Sequence, residues 1–286
     1  MIKNYNFIFF GTSLFSVHVL DELKSAGFLP SIIVTMPDRP KGRNLKMTAP
    51  EAKIWAEKEK IKVLQPGKLD ENFVIEITAK KSDFFVVASY GNIISKKILE
   101  IPTHGTLNVH PSLLPKLRGA TPVQTTILEG IKDTGVTIMQ MDEKMDHGSI
   151  VAVSKHQIES PDLTEPELEE ILAKIGGKLL TEIIPKLISG EIKGMPQDDT
   201  LATFTKKIKK EDGEIDLNDS ADLNYRKIRA FTGNVGTYFF YQTKDKKIRI
   251  KIKSAKITDG KLVLQTVVPE NDKEMSHESF LAKYSK

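Results

Sequence analysis

The sequence predicts an α/β protein in which a Rossmann-like domain, built on a mostly parallel sheet, is followed by a smaller domain of short strands. Three observations predict this fold class. Five apolar runs occur before Asp146 and alternate with helical patterns, as expected of parallel strands buried on both faces. A stretch of low apolar content with glycine and proline follows residue 189. Beyond it, apolar and cationic residues alternate strictly over 247–253, which is typical of a strand with one face in solvent.

The size and composition of the chain are typical of a soluble protein of about two domains. Of its 286 residues, 40% are hydrophobic and 28% are charged, and we place the domains at 1–189 and 205–286 with a linker at 190–204. No apolar run approaches the length of a membrane span, and the N-terminus leads into a strand rather than a signal peptide. The chain contains no cysteine, which excludes disulfides and thiolate metal sites. We therefore expect a cytoplasmic protein.

Charge is distributed unevenly along the chain, although the net charge is only +4. Residues 201–286 contain 18 Lys and Arg residues against 12 Asp and Glu residues, a net charge of +6, whereas the first 200 residues have a net charge of −2. A basic second domain beside a near-neutral first domain favours a polyanionic partner. A solvated, lysine-rich surface would give similar numbers.

The beginning of the chain reads as one half of a Rossmann-type sheet. An apolar run at 6–10 predicts a buried strand, and Gly11 leads into a helical pattern that ends at Gly27. A second apolar run at 31–36 completes the strand–helix–strand unit. The fingerprint G-x-G-x-x-G is absent, so a dinucleotide cofactor is disfavoured.

Residues 37–50 have no usable hydrophobic period and include three prolines, which predicts an exposed loop. The cations of this loop are Arg39, Lys41, Arg43 and Lys46. They fit either an ordinary basic surface loop or a contact with a polyanion.

The rest of the chain continues the alternation of helices and strands. Helices are predicted at 49–60, 72–79, 121–130, 163–188 and 220–229, and strands at 62–64, 83–88, 105–110, 137–141, 149–156, 247–253 and 261–268. In the first of these helices Ile54 and Trp55 are expected to face the core. In the long helix at 163–188, Gly176 and Gly177 are expected to loosen the structure. A turn is expected at Asp259-Gly260.

Polar side chains gather where the strand at 105–110 ends. Asn108 and His110 alternate with apolar residues, so they share one face of the strand. Pro111 ends the pairing, and the apolar residues at 113–115 are expected to line the mouth of a pocket. Open α/β sheets bind ligands at the carboxyl ends of their strands, which makes this a candidate site. The alternative is a buried polar pair that neighbouring backbone groups satisfy.

Two stretches in the middle of the chain resemble the signature of the folate-dependent formyltransferases. Residues 108–119 read N-x-H-x-S-L-L-P-x-x-R-G, residues 134–137 read T-G-V-T, and residues 146–148 read D-x-G. The resemblance extends from about Phe7 to about Tyr241. It implies the α/β fold predicted above, with a small β-barrel of the oligonucleotide-binding type (OB-like) as the second domain.

The resemblance also implies a reaction, the transfer of a formyl group from 10-formyltetrahydrofolate without a metal ion. Acyl transfer needs a donor for the developing oxyanion, a group for the proton of the attacking amine, and walls that exclude water. Asn108 is expected to donate to the oxyanion, and His110 to donate as the imidazolium or to shuttle a proton. Asp146 is expected to hold the imidazole or to order a water that takes the proton. His104 and His147 are expected to be structural.

Two sets of binding residues follow from the resemblance. The expected folate contacts are Ala88, Tyr90, Gly91, Ser112, Leu113, Leu114 and Pro115. The loop at 37–43 resembles that of family members that formylate initiator methionyl-tRNA, in which it enters the acceptor arm. The expected tRNA contacts are Arg39, Lys41, Arg43 and Lys46 on the loop, and Lys247, Arg249, Lys251 and Lys253 on the cationic strand.

Two departures from the family pattern concern the tRNA. Asn44 stands where the loop is expected to have a second glycine, and residues 232–236 replace an Asn-Pro-Trp-Pro-like stretch. The chain also ends soon after the strand at 261–268, so the second domain is expected to lack a strand or to have shorter loops. We expect a monomer whose partners are initiator Met-tRNA and the folate, without a membrane.

Two other functions are open at this point. A formyltransferase acting on glycinamide ribonucleotide or an amino-sugar nucleotide would explain the catalytic motifs, but neither the loop at 37–43 nor the basic second domain. A non-catalytic RNA-binding module would be expected to have lost Asn108, His110 or Asp146, and all three are present.

Overall fold

The computed structural model of the protein describes residues 5–41, 45–233, 235–244 and 246–284. Its helices are α1 (Leu14–Ser25), α2 (Glu51–Lys58), α3 (Glu71–Thr78), α4 (Lys96–Leu99), α5 (Pro122–Glu129), α6 (Glu165–Ile188), α7 (Ala221–Ala230) and α8 (His277–Tyr284). Its strands are β1 (Phe7–Gly11), β2 (Ile32–Val34), β3 (Arg39–Lys41), β4 (Lys46–Thr48), β5 (Lys62–Leu64), β6 (Phe84–Ala88), β7 (Thr106–His110), β8 (Asp133–Gln140), β9 (Ser149–Gln157), β10 (Thr237–Gln242), β11 (Lys247–Thr258), β12 (Lys261–Pro269) and β13 (Met275–Ser276). Every helix and strand expected from the sequence is present. The sequence did not indicate α4, α8, β3, β4, β10 or β13.

The chain divides into two compact units. The first comprises Met1–Arg118, Thr134–Gln157 and Glu169–Phe204, and the second comprises Gly119–Asp133, Ile158–Leu168 and Thr205–Lys286. The segment 190–204, which the sequence suggested as a linker, groups with the first unit, and α5 groups with the second. The domain boundaries given above stay predictions.

The first unit is built on a seven-stranded sheet in the order β5-β2-β1-β6-β7-β8-β9. The five strands from β5 to β7 are parallel, and β8 runs antiparallel to β7. The predicted mostly parallel sheet is therefore confirmed. Its order reverses at β1, which pairs with β2 on one side and with β6 on the other. Ligands of open α/β sheets bind at the carboxyl ends of the strands beside such a reversal.

Aromatic side chains of β1 and β6 fill the core of this sheet. All five residues of each strand are buried, as expected of central strands covered on both faces. Phe7 and Phe84 stack with their ring centroids 4.9 Å apart, and on the other face Phe10 and Phe85 pack at 5.3 Å. This packing fixes the two strands whose carboxyl ends meet at the reversal.

Two local predictions for residues 37–60 are wrong. The expected loop contains an antiparallel hairpin of β3 and β4, in which Arg39 pairs with Thr48. Its strands are three residues long and almost fully exposed, so they lack the apolar alternation from which a strand is predicted. On α2, Trp55 is buried but Ile54 is 56% exposed, because consecutive helix positions point about 100° apart.

The long helix α6 continues through both of its glycines. A Cβ atom at Gly176 would overlap Cγ1 of Val109 on β7, and one at Gly177 would lie 2.6 Å from Cβ of Glu22 on α1. The glycines therefore permit close packing rather than loosening the helix, and that expectation is wrong. Among the described helices, none combines the length and the apolar character needed to cross a membrane.

The second unit contains an antiparallel sheet in the order β10-β11-β12-β13. On β11, Ile248, Ile250 and Ile252 are buried and the cations that alternate with them are exposed, as the sequence pattern predicts. Asp259 and Gly260 have φ angles of 50° and 73°, which suit the predicted two-residue turn between β11 and β12. The predicted C-terminal β-sheet is confirmed as an antiparallel sheet of four strands, of which β11 and β12 are longer than expected, with 12 and 9 residues.

Candidate active site

Asn108 and His110 lie where β7 reaches its carboxyl end. Both side chains are buried, with 9% and 4% of the residue surface exposed, and their spacing of two residues places them on the same face of the sheet. Nε2 of His110 lies 3.0 Å from the carbonyl oxygen of Leu117. A carbonyl oxygen only accepts hydrogen bonds, so Nε2 carries a hydrogen, and Nδ1 is the ring nitrogen left for other partners.

Asp146 reaches His110 from the turn between β8 and β9. Its Oδ1 lies 3.7 Å from Nδ1 of His110, and 15% of its side chain is exposed. Asp146 has a φ of 48°, a left-handed conformation that costs a residue with a side chain roughly 1–2 kcal/mol. Such a conformation persists only where the surrounding structure holds it. The structure thus brings Asp146 and His110 together, with Asn108 on the same strand face.

Gln197 holds the backbone of Asp146, and no pattern in the sequence indicated this role. Its Nε2 donates to the carbonyl oxygens of Asp146 and Gly148, both at 2.8 Å. Its Oε1 accepts from Arg118, from Nε at 3.1 Å and from Nη2 at 2.8 Å. All four hydrogen bonds of the Gln197 side chain are therefore made with residues of the formyltransferase-like motifs. Gln197 therefore ties the D-x-G turn to the arginine at the end of the loop after β7.

Arg118 is 3% exposed, and its second acceptor is a carboxylate. Its Nη2 donates to Oδ1 of Asp199 at 2.7 Å, and this hydrogen bond is the main reason that the pKa of Asp199 lies below its usual value. His147 lies with Nδ1 2.6 Å from Asp142 and Nε2 3.3 Å from Asp199. A histidine between two carboxylates fits the structural role expected for it. Because a buried arginine needs hydrogen-bond acceptors, the presence of such partners for Arg118 could be expected. Their identity could not, because Gln197 is 79 residues away in the sequence.

The loop after β7 is shaped by Thr137 of the T-G-V-T motif. The Thr137 hydroxyl donates to the carbonyl oxygen of Ser112 at 2.7 Å and accepts from the amide of Leu114 at 3.1 Å. Ser112 is fully buried, and its own hydroxyl donates to the carbonyl oxygen of Lys116 at 2.7 Å. The loop is therefore closed by internal hydrogen bonds.

Thr203 holds the far end of the same loop. Its hydroxyl accepts from the amide of Leu117 at 2.9 Å, and its carbonyl oxygen accepts from the amide of Arg118 at 2.9 Å. Its own amide donates to the carbonyl oxygen of Pro115 at 3.3 Å. The segment 190–204 thus contributes two residues, Gln197 and Thr203, that fix the candidate site.

Two motif glycines are required because other groups come too close for a side chain. A Cβ atom at Gly135 would overlap the carbonyl oxygen of Ser154 and lie 2.6 Å from Cδ2 of Leu113. A Cβ atom at Gly148 would overlap the carbonyl oxygen of Gln140. The glycines of T-G-V-T and D-x-G therefore let β8 and its neighbours approach the loop and the Asp146 turn.

A cleft of about 320 Å³ lies at the carboxyl ends of β1, β2 and β6. Its lining includes Tyr90 and Gly91 from the expected folate contacts, and Arg39 and Lys41 from the expected tRNA contacts. The structure therefore brings parts of the two expected sets together at the reversal of the sheet. Asn108, His110 and Asp146 do not line this cleft and form a second group at the end of β7.

The ring of Tyr90 is buried in the core, so the residue lines the cleft mainly with its backbone. The residue is 2% exposed, and its ring packs edge to face on Phe10 with centroids 5.4 Å apart. Within the described residues its hydroxyl has no hydrogen-bond partner. Burial raises the pKa of Tyr90 to about 12, so the phenol is neutral. The remaining expected folate contacts are fully buried (Ala88, Ser112), nearly so (Leu114), or half-buried (Leu113, Pro115).

The expected tRNA contacts are exposed wherever the structure describes them. They lie on the hairpin (Arg39, Lys41, Lys46) and on the outer face of β11 (Lys247, Arg249, Lys251, Lys253). Lys41 lies 3.2 Å from Glu51, whereas none of the four cations of β11 has an ion pair with a described carboxylate. Arg43 and Asn44 lie outside the described residues. In the described chain, no group of three or more His, Asp or Glu residues is placed to hold a metal ion.

Family models match most of the chain. The model described as formyl transferase matches residues 3–184, and the model described as formyl transferase, C-terminal domain, matches residues 207–261. The first match contains the three formyltransferase-like motifs at 108–119, 134–137 and 146–148. The second contains α7, β10 and β11.

Individual proteins give the same result. The methionyl-tRNA formyltransferase of Chloroflexus aggregans is 43% identical over 236 residues, which cover 82% of this chain and 76% of that protein. The solved structure of the methionyl-tRNA formyltransferase from Clostridium thermocellum has a TM-score of 0.62 at 18% identity, covering 93% of this chain and 99% of that one. A sugar N-formyltransferase from a Shewanella species also has a TM-score of 0.62, at 17% identity, covering 90% and 100%. At these identities the solved structures show a common fold only.

Proposed function

This chain belongs to the formyl transferase family, and we propose that it transfers the formyl group of 10-formyltetrahydrofolate to the α-amino group of methionine on initiator methionyl-tRNA, for translation initiation. The observation that carries the choice of acceptor is the 43% identity to a methionyl-tRNA formyltransferase over 82% of the chain. The arrangement of buried polar groups at the end of β7 supports the reaction. The exposed cations of the hairpin and of β11 support the polyanionic acceptor.

In the proposed reaction the methionine amine attacks the formyl carbon. A new N–C bond forms, and the formyl oxygen becomes an oxyanion. When the tetrahedral intermediate collapses, the bond between the formyl carbon and N10 of the folate breaks. The amine loses one proton and N10 gains one, so the products are formylmethionyl-tRNA and tetrahydrofolate. The chemistry required of the protein is therefore oxyanion stabilisation and proton transfer.

Three side chains supply that chemistry in our proposal. The Asn108 amide donates to the oxyanion, where burial strengthens the interaction. Because Nε2 of His110 is used by Leu117, the action of His110 passes through Nδ1, which donates to the oxyanion when protonated or takes up a proton when neutral. Asp146, 3.7 Å from Nδ1, stabilises the imidazolium and accepts the amine proton through a water. Gln197 is a positioning residue that fixes the backbone of Asp146.

A folate-type formyl donor follows from the family, and we propose how this chain binds it. The turn at Tyr90-Gly91 presents backbone groups, and Gly91 has a φ of 86° that leaves them accessible. The apolar side chains of Leu113, Leu114 and Pro115 provide the dry wall. Ser112 and Ala88 are fully buried, so their proposed part is to hold the loop and the turn in shape.

The cationic residues are proposed to bind the phosphates of the tRNA. Exposed cations keep their hydration until a phosphate replaces it, and each phosphate that they neutralise releases condensed counterions. Arg39 and Lys41 line the cleft at the sheet reversal, where the acceptor end would meet the folate. The four cations of β11 are proposed as further phosphate contacts, and so is Arg43, which lies outside the described residues. We further propose that the protein acts in the cytoplasm as a monomer.

An enzyme that formylates an amino-sugar nucleotide is the second candidate. The observation that favours it is the fold, because a sugar N-formyltransferase superposes with the same TM-score as a methionyl-tRNA formyltransferase. Such an enzyme would have no use for the exposed cations of β11. The two candidates therefore differ in their dependence on salt and on those cations.

One experiment separates the candidates. The protein is incubated with 10-formyltetrahydrofolate and, separately, with Met-tRNA, glycinamide ribonucleotide and an amino-sugar nucleotide, with Asn108→Ala as the inactive control. We expect formylation of Met-tRNA, with affinity that falls steeply as salt is raised, and an Arg43→Ala variant that loses formylation more than folate binding. Formylation of a small acceptor alone, or a flat salt dependence that Arg43→Ala does not change, would overturn the proposal.

A further inference from the structure

Two aromatic rings lie among the cations on the outer face of β10 and β11. Phe239 is buried, so its neighbours Tyr238 and Phe240 point away from the core, and Phe240 is 41% exposed. In the strand register, Tyr238 is directly opposite Lys251, and Phe240 is directly opposite Arg249. The rings and the cations therefore occupy one continuous face of the sheet.

Each ring is also in contact with a cation. Nζ of Lys247 lies 4.6 Å from the ring centroid of Phe240, and the guanidinium carbon of Arg249 lies 5.4 Å from that of Tyr238. The two rings meet edge to face, with centroids 5.7 Å apart and planes at 84°. β11 lies between β10 and β12 in the sheet, so protection of an exposed sheet edge does not explain its cations. Exposed aromatic rings grouped with cations are instead typical of an interaction surface.

A nucleic acid explains both kinds of side chain at once. Bases of a single strand stack on aromatic rings whatever their sequence, and nearby cations neutralise the phosphates. The cations of β11 repeat at every second residue, roughly 7 Å apart, and form a positive row along which a phosphodiester chain can run. One carboxylate lies beside this row, because Glu270 accepts from the backbone amide of Arg249 at 3.4 Å. An acidic peptide would also meet the cations but would not use the ring faces.

We infer that Phe240 and Tyr238 form a stacking site for an unpaired base of the tRNA, while Arg249 and Lys251 hold the adjoining phosphates. This inference rests on the proposed function, since the tRNA is the nucleic acid that the protein would bind. It assigns to the second unit a contact that is not electrostatic. The stacking contact adds affinity without adding to the salt dependence, and this separates it from every cationic contact on the same face.

The test uses the full-length protein and a short single-stranded RNA that carries the fluorescent base 2-aminopurine. Stacking on a ring should quench the fluorescence when wild-type protein binds. Phe240→Leu, which keeps apolar bulk and loses the ring, should abolish the quenching and weaken binding about 5- to 100-fold. Phe240→Tyr should keep both. Lys251→Ala should instead preserve the quenching and lower the salt slope by about one. Leu223→Ala, which removes a side chain that is 58% exposed on α7, serves as the matched control.

The outcomes separate this inference from the proposed function when Met-tRNA formylation is measured with the same proteins. Formylation by wild type, combined with equal binding and quenching by wild type and Phe240→Leu, would overturn the stacking site alone. Quenching that depends on Phe240 without any formylation of Met-tRNA would overturn the proposed acceptor and leave the stacking site standing. Binding of an acidic peptide in place of RNA at this face would overturn the stacking site in favour of a protein partner. Equal melting temperatures for wild type and Phe240→Leu show that the variant is folded.

Discussion

The carboxyl end of β7 and the outer face of β11 use polar residues in opposite ways. At the end of β7, His110 is 4% exposed and one of its ring nitrogens is committed to Leu117. On β11, the cations alternate with buried isoleucines and stand in solvent. One region buries a few groups in a single arrangement, and the other exposes a row of cations that have no ion pair with a described carboxylate.

In the proposed function, the difference follows from what each region would recognise. The oxyanion develops only during the reaction, in the tetrahedral intermediate and the transition states on either side of it, so its donor must be in place beforehand, and removal of that donor lowers turnover. A phosphate chain is charged at all times, so it can be met by mobile, hydrated cations, and their loss lowers affinity in a salt-dependent way. Mutations in the two regions should therefore fall into two kinetic classes.

The largest expected effect is that of Asp146→Asn. This variant keeps the shape of the side chain and loses the charge that stabilises the imidazolium and accepts the proton, so turnover should fall by roughly 100- to 10,000-fold. The measurement is kcat for Met-tRNA formylation, with folate affinity measured by titration. A variant with normal kcat would show that Asp146 has only a structural role. The end of β7 and the face of β11 would then no longer differ in their effect on turnover through Asp146.

Asn108→Ala should lower turnover by roughly 100- to 1,000-fold, in line with the loss of an oxyanion donor. Folate affinity should change much less, because the ground-state formyl oxygen is a weak acceptor. Single-turnover kinetics at saturating folate measures this directly. If kcat stays near the wild-type value while KM rises, Asn108 contributes to binding only.

Gln197→Ala should lower kcat by about tenfold, because it releases the backbone of Asp146 without removing a reacting group. Gln197→Glu is the matched variant, since it keeps the acceptor for Arg118 and loses both donors to the carbonyl oxygens of Asp146 and Gly148. Gln197→Ala, which adds no titratable group, should retain the pH profile of the wild type. Normal activity in Gln197→Glu would show that these two hydrogen bonds are not needed to position Asp146.

The double variant Lys251→Ala/Lys253→Ala should leave kcat at saturating tRNA unchanged and weaken tRNA binding. Its salt slope should be lower by about two, one for each lost phosphate contact. Lys96→Ala/Lys97→Ala on α4, which removes the same charge from the first unit, is the control and should keep the wild-type slope. If the salt slope were equal in the wild type and both double variants, Lys251 and Lys253 of β11 would not contact the phosphates of the tRNA.

The smallest expected effect concerns Asp272, a half-buried carboxylate that has an ion pair, unlike the cations of β11. Asp272 accepts from Lys283, from the backbone amide of Lys273 and from the Tyr284 hydroxyl, and these contacts lower its pKa to about 2. A lowered pKa stabilises the fold above the unfolded pKa of about 4 and loses its effect as the pH falls towards 2. Asp272→Asn should therefore lower Tm by a few degrees at most at pH 7. The difference should be constant down to about pH 4 and shrink below it, which thermal denaturation over that range can check.

How far the sequence predicts the structure depends on the range of the contacts involved. The buried strands β1, β6 and β7 follow from apolar runs, and the shared face of Asn108 and His110 follows from alternation, because both patterns are local. The alternation of β11 was predicted for the same reason. The hairpin of β3 and β4 was missed because its exposed strands have no apolar face.

The missed part of the candidate site consists of long-range contacts. Gln197 meets Arg118 across 79 residues, and Thr203 meets Leu117 across 86. No periodicity or spacing in the sequence connects such positions. The segment 190–204, which contains Gln197 and Thr203, was therefore predicted to be a linker because of its low apolar content. Phe240 was missed for a different reason, since only the pairing of β10 with β11 places it among the cations.

The contacts of Gln197 and Thr203 also set the order in which the protein can be assembled. On the ribosome, the chain from His110 to Arg118 emerges well before the two residues that hold it, and at roughly 5–20 residues per second the delay to Thr203 is about 4–17 s. Until then the loop has no partner for the amide of Leu117, and the Asp146 turn has none for the carbonyl oxygens that Gln197 binds. The loop after β7 and the Asp146 turn are therefore synthesised well before the side chains that hold them.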